Sequence, residues 1–328
     1  MDSNGKIIEV FSADGALSRH IQGFRPRAEQ LEMAQAVEKT IKNQTALVVE
    51  AGTGTGKTFA YLAPVLLAKK KTIISTGSKN LQDQLFNRDL PAIKDALNYS
   101  GKIALLKGRA NYLCLERLEQ VIAQGVLGDR SVLADLSKVR KWNASTQSGD
   151  LSECAELAED SPLLPQLTST TESCLGSDCP SYNDCYVVMA RKRALAADLV
   201  VVNHHLFCAD MAVKESGFGE LIPNAEVIIF DEAHQLPDIA GQYFGQSLTS
   251  RQLFDICKDI NIVYRTEIKD MQQLGVASDH LLKMVQDFRL LLGEGNQRGN
   301  WRDLLNQSAV KKGVEILQEK LDFTADVI

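Results

Sequence analysis

No run of apolar residues in the 328-residue sequence approaches the ~20 that a membrane-spanning helix needs, which excludes an integral helical membrane protein. There is no basic surplus either. With 36 Lys and Arg against 42 Asp and Glu the formal net charge is −6, so any grip on nucleic acid must come from a local groove rather than a global field. The opening residues, Met1-Asp2-Ser3-Asn4-Gly5, lack the basic and apolar regions of a signal peptide, and the expected location is the cytosol. Disulfides are not expected in that reducing compartment, and seven cysteines, an odd number, argue against a complete set of pairs. Internal repeats are absent. What remains is an ordinary globular composition, 45% hydrophobic and 24% charged, which excludes disorder and collagen and gives enough chain for two domains or three small ones.

Five short apolar runs read as buried parallel strands: 45–50 (TALVVE), 72–76 (TIIST), 102–106 (KIALL), 199–203 (LVVVN) and 227–231 (VIIFD). Helical patterns lie between them, so the expected fold is an open α/β sheet with right-handed crossovers. The rhythm breaks between Gly108 and Cys185, about eighty residues without a convincing strand. That is too long for a loop and reads as an inserted subdomain, irregular through its Ser-, Thr-, Asp- and Pro-rich middle. Beyond Gly245 only helical spacing is evident, over 250–265, 267–292 and 300–321. Residues 323–328 carry no capping pattern or polar tail, and the expectation is a chain that stops partway through a domain.

Ala51-Gly52-Thr53-Gly54-Thr55-Gly56-Lys57-Thr58 follows one apolar run and opens a helical pattern, the context a P-loop requires. Ala51 takes the place of the usual first glycine. Glycines let backbone N–H groups turn toward phosphate oxygens, and the helix N-terminus adds its positive dipole end. Lys57 would reach the β- and γ-phosphates of ATP, and Thr58 would ligate Mg²⁺. Asp231-Glu232-Ala233-His234 ends another apolar run, at the edge where open α/β sheets bind ligands. Asp231 would hold Mg²⁺ through water, and Glu232 would polarise the attacking water. Lys57, Asp231 and Glu232 are thus the expected catalytic set, and adjacent Asp and Glu favour hydrolysis over transfer to an acceptor hydroxyl.

The two motifs in this order resemble the superfamily 2 nucleic-acid helicases. Phe24-Arg25-Pro26-Arg27 with Gln30 is similar to that family's adenine-reading element, which implies ATP contacts for Arg25 and Gln30. Ser75-Thr76-Gly77 with Asn80-Leu81-Gln82 is similar to its motif Ia, implying nucleic-acid contacts for Thr76, Asn80 and Gln82. Gly108-Arg109-Ala110-Asn111-Tyr112-Leu113-Cys114 and the segment 198–207 (DLVVVNHHLF) resemble the iron–sulfur XPD/DinG branch of the DNA helicases. The implied fold is a RecA-like P-loop NTPase lobe over 1–108 and 186–244, a cluster insertion over 109–185 and the start of a helical arch domain over 245–328. A second RecA-like lobe is absent from the sequence, as is any Gln-x-x-Gly-Arg-x-x-Arg pattern.

Cys114, Cys174, Cys179 and Cys185 are a second constellation. Paired CxxC knuckles are missing, yet spacing alone leaves zinc and an iron–sulfur cluster both open. The resemblance implies a [4Fe–4S] cluster, because all four cysteines fall where this branch places its ligands. It further implies that Arg191, Lys192 and Arg193 contact single-stranded DNA passing the cluster and that His234 couples the nucleotide site to the DNA track; Arg109 is a second candidate for that path or for pairing near the cluster. Cys154, Cys208 and Cys257 read as small core hydrophobes, His204 and His205 as packing or hydrogen-bonding residues, and Tyr112 as a base-stacking or core residue.

The resulting expectation is the ATP-binding half of a 5′-to-3′ DNA helicase that works on single-stranded, forked or damaged DNA, with a replication or repair protein as partner and no membrane. This half by itself is expected to hold the cluster and bind nucleotide weakly, but to hydrolyse ATP poorly and leave duplex DNA wound. Two rivals stand against it. One is a non-catalytic nucleic-acid-binding module with a four-cysteine zinc site and a vestigial P-loop. The other is a P-loop kinase or switch, which leaves the four cysteines and motif Ia unexplained.

Overall fold

Four of the five apolar runs become the strands of one parallel sheet. They are β1 (Thr72–Thr76), β2 (Ile103–Leu105), β3 (Leu199–Asn203) and β4 (Val227–Phe230), in the order β2-β3-β1-β4. Thr72 lies opposite Leu199 and Val227, and Ile103 opposite Leu199. β-Branched residues dominate β1, β3 and β4, and the five residues of β1 and of β3 are all buried.

Because side chains alternate along a strand, the sheet feeds two cores. Ile74, Leu199 and Val201 pack with Leu17, Ala34, Ala60, Leu62 and Ile93 on one face. Ile73, Val200 and Val202 pack on the other with Leu113, Leu163, Leu167, Ala190 and Ala194. The residues between β2 and β3 therefore do not hang off the sheet as a loop; they cover one of its faces. Helices Leu115–Gln124, Arg130–Asn143, Leu164–Leu167 and Tyr186–Leu195 lie in this segment together with short 3₁₀ turns.

The fifth run departs from expectation. Residues 45–50 form no strand, and the segment is exposed, with Val48 at 97%. An apolar run becomes a strand only beside a partner with free backbone groups. β1 is paired on both edges, β4 pairs through its edge toward β1, and no described strand pairs with 45–50. The other boundaries move by a residue or two, as expected at element ends.

The structure, a computed structural model, describes residues 3–328 except 53, 125–129, 159, 171–172, 216–219, 267, 269 and 294–298, and Thr53 of the P-loop therefore lies outside the described residues. It divides into two units, Met1–Phe244 and Gly245–Ile328. In the second, helices Ser250–Thr266, Gln272–Leu291 and Ser308–Val327 bury Leu253, Cys257, Leu281, Val285 and Leu317. Ser278 donates to the Cys257 carbonyl at 3.0 Å, pinning the first two helices together.

Candidate functional site

The P-loop leads into helix Lys57–Ala68 through Gly54 (φ +80°) and Gly56 (φ +82°), left-handed conformations that L side chains rarely adopt. Thr55 Oγ1 donates to the Gly52 carbonyl at 2.9 Å, folding the loop on itself. Gln30, from helix Ala28–Asn43, donates through Nε2 to the Gly56 carbonyl at 2.9 Å, and a Cβ at Gly56 would run into that amide. Gln30 is buried and its Oε1 has no partner, leaving an unsatisfied acceptor beside the loop. That orphan fits a residue reserved for a ligand donor. Ala51 is half-buried, and Gly52 and Arg25 are exposed.

Two side chains of the P-loop helix reach the end of β4. Lys57 Nζ lies 3.4 Å from Glu232 Oε1, and the Tyr61 hydroxyl donates to Asp231 Oδ2 at 3.0 Å. The Glu232 backbone N–H donates to Asp231 Oδ1 at 3.1 Å, so each oxygen of that carboxylate already has a donor. His234 Nδ1 stands 3.4 Å from Glu232 Oε2, its ring largely exposed. Glu232 itself sits at φ +59°, an uncommon conformation for a non-glycine residue and one met at functional turns. Burial holds the Tyr61 hydroxyl well above the usual tyrosine range; the Asp231 charge and hydrogen bond add to this, while a hydrogen bond with Thr58 opposes it. Lys57, Thr58, Asp231, Glu232 and His234 thus form one neighbourhood, as the motifs imply, and Tyr61 joins them. Its place in sequence, four after the lysine and three after the threonine, is the signal that could have found it.

The motif Ia residues divide. Asn80 is exposed just past the end of β1. Thr76 is buried, its hydroxyl donating to the Ser78 carbonyl at 3.1 Å. Gln82 is fully buried and its Nε2 donates to the carbonyls of Leu106 (2.9 Å), just past β2, and Val201 (3.3 Å), in the middle of β3, while its Oε1 has no partner. His204, also fully buried, meets Ser75 Oγ at 2.7 Å through Nδ1 and lies against Phe230, linking β1 to the end of β4. Burial lowers its pKa, and the neighbouring Glu232 and Asp231 oppose that shift. Gly77 is the other bridge, since a Cβ there would meet the side chain of Gln235 at 2.7 Å.

Cys114, Cys174, Cys179 and Cys185 line a single cavity of about 590 Å³ together with Arg109 and Arg191. Lys192 lines it too, whereas Arg193 turns away and donates to the Gln147 carbonyl at 3.2 Å. Burial pushes the Cys114 thiol up, a backbone hydrogen bond from Arg117 opposes this, and Cys185 and Cys179 push it further. Arg191 is lowered by burial and by Arg109, with Cys174 and Cys185 pulling the other way. Among the described residues no three His, Cys, Asp or Glu side chains are gathered closely enough for one metal ion. Four thiols around a volume with cationic walls fit an anionic group larger than a single ion. Cys154, Cys208 and Cys257 are buried elsewhere. Tyr112 is buried as well, its hydroxyl accepting from the Lys107 N–H at 3.0 Å and pushed up to about 12, mainly by burial.

Lys107 carries no signal in the sequence. It is nearly fully buried, with Nζ 2.7 Å from both Asp83 and Asp150 and 3.0 Å from Ser152 Oγ. The residue joins the helix after β1, the exit of β2 and the cysteine-bearing segment.

Residues 31–152 match the DEAD/DEAH box helicase family. Over 329 residues the chain is 79% identical to the ATP-dependent DNA helicase YoaA of Haemophilus influenzae, an alignment covering 100% of this chain and 51% of that protein. It is 60% identical over 317 residues to YoaA of Escherichia coli, covering 97% of this chain and 50% of that one. With the ATP-dependent helicase DinG of Mycobacterium tuberculosis it shares 34% identity over 289 residues, 81% of this chain and 42% of that protein. The chain spans about half the length of the YoaA relatives it matches.

Proposed function

We propose that the chain, of which residues 31–152 match the DEAD/DEAH box helicase family, is the nucleotide-binding half of an ATP-dependent DNA helicase that moves 5′ to 3′ on single-stranded DNA and serves forked or damaged DNA in repair or replication. Unwinding is proposed of the full-length protein. The observation that carries this reading is the pairing of Lys57 with Glu232 beside left-handed Gly54 and Gly56, at the carboxyl edge of a parallel sheet.

Without a ligand Lys57 and Glu232 neutralise each other. An arriving triphosphate offers Lys57 a stronger anionic partner, and the ammonium leaves the carboxylate for the β- and γ-phosphate oxygens. Glu232 is then free to accept a proton from the water that attacks the γ-phosphorus as the bond to the ADP oxygen breaks. Thr58 and Asp231 would hold Mg²⁺, which when bound offsets charge on the phosphate oxygens. Gln30 would direct its unpartnered acceptor at the adenine amino group, and the resemblance adds Arg25 as a second contact. Movement of Glu232 takes His234 and Gln235 with it, and Gln235 lies against Gly77 at the start of the DNA-contacting segment.

Cys114, Cys174, Cys179 and Cys185 would hold a [4Fe–4S] cluster, which when bound supplies a cross-link between four points of the segment 109–185. Arg109 and Arg191 offset its negative charge. Exposed Asn80 and Lys192 are the side chains offered to the DNA backbone, with binding that weakens as salt rises, while Arg193 is held by the Gln147 carbonyl.

The test combines binding of a fluorescent ATP analogue with magnesium, ATP hydrolysis with and without single-stranded DNA, and iron and sulfide analysis after anaerobic purification. The expected result is magnesium-dependent nucleotide binding and a brown, iron-containing protein. A colourless protein containing zinc that ignores magnesium-ATP overturns the proposal in favour of a nucleic-acid-binding module.

A further inference from the structure

Helix Lys57–Ala68 is apolar apart from its first turn and Tyr61, and residues 60–66 are all buried. Phenylalanine would fill the same space without the cost of burying a hydroxyl. Here the hydroxyl donates to Asp231 Oδ2, at 3.0 Å and 170 positions along the chain. On the same helix face, one turn earlier, Lys57 meets Glu232. The helix therefore touches both acidic residues of the turn after β4, through two different groups. The other Asp231 oxygen receives the Glu232 N–H at 3.1 Å, so the carboxylate is held from both sides.

Resting on the proposed function, we infer that Tyr61 is a positioning residue that sets the Asp231 carboxylate for the magnesium–nucleotide complex. With the hydroxyl present, a carboxylate whose terminal torsion is otherwise broad is fixed in one plane. Both oxygens keep free lone pairs for a metal-bound water, because each ionised oxygen accepts more than one bond. Without it, Asp231 keeps only the donor from its own turn, and part of the metal's binding is lost to re-orienting the carboxylate.

The test is Tyr61→Phe in the 328-residue chain, with Mn²⁺ and Mg²⁺ titrated against a fluorescent ATP analogue and the Mn²⁺ signal followed by electron paramagnetic resonance. The metal midpoint is expected to rise roughly tenfold, the scale of one hydrogen bond to a charged group, while affinity for the metal-free nucleotide holds. A midpoint equal to that of the unaltered chain overturns the inference. Asp231→Ala, which removes the acceptor of the Tyr61 hydroxyl altogether, provides a second reading. If Tyr61 acts through Asp231, adding Tyr61→Phe to that background moves the midpoint no further, and an additive shift overturns the inference. Failure of the unaltered chain to bind the metal–nucleotide complex overturns the proposed function, and this inference with it.

Discussion

The phosphate loop and the cysteine cavity lie in one unit of the protein and are built in opposite ways. Around the loop both acidic residues of the turn after β4 already have partners from this chain: Glu232 has Lys57 and His234, and Asp231 has Tyr61 and a backbone N–H. Around the cavity four thiols face a common space, and no three of the described metal-binding side chains are drawn together. The first site is pre-organised by the protein, and a ligand needs only to exchange one partner for another. In the second, the four cysteines would be joined by the proposed cluster.

Cysteine substitutions should separate the two most sharply. Replacing Cys179 with Ser is expected to abolish iron retention while leaving affinity for magnesium-ATP within about twofold, as expected for sites without shared partners. Iron analysis beside nucleotide titration checks this, and coupled losses would mean the sites are not independent. The reverse experiment, Lys57→Ala, is expected to weaken magnesium-ATP roughly ten- to a hundredfold, the worth of hydrogen bonds to a charged group, with iron content unchanged.

Lys107 belongs to neither site; it ties the helix after β1 to the segment between β2 and β3. Lys107→Met leaves Asp83 and Asp150 facing each other without their cation, and should cost about 3–5 kcal/mol of stability, read by chemical denaturation. A loss below about 1 kcal/mol would show the carboxylates re-solvated at little cost. The lysine's pKa is raised by Asp150 and Asp83 despite a desolvation that opposes them. Its contribution is therefore full below the ordinary lysine value, about 10.4, and fades as pH climbs through the higher folded value.

The smallest effect concerns His204. Burial depresses its pKa, so the unfolded chain takes up a proton near the ordinary value of about 6.5 while the folded chain does not. The contribution is present above that pH and is lost as pH falls through the folded value. His204→Gln should flatten the unit's stability between about pH 7 and 5 in urea titrations, and an unchanged slope would assign the acid dependence to other groups.

Much of this architecture is legible in the sequence, for identifiable reasons. The strands 72–76 and 199–203 are β-branched runs buried on both faces, and the phosphate loop announces itself because glycine spacing, lysine and helix start coincide within eight residues. Residues 45–50 have the same apolar signature but no strand to pair with, and pairing is a property of two segments. Gln82 stands where the resemblance implies a ligand contact, and only the fold reveals that its amide nitrogen bonds two backbone carbonyls. Tyr61 and Lys107 are not legible, because a tyrosine in an apolar helix and a lysine after a strand are common, and their partners lie far along the chain.

The absence of a side chain at Gly77 lets Gln235 sit directly on the backbone at the mouth of β1. A methyl group added at position 77 would meet the end of the Gln235 side chain, which is free to turn aside, so the contact between the turn after β4 and the loop leading to Asn80 is one that a small rotation of a single glutamine can make or release.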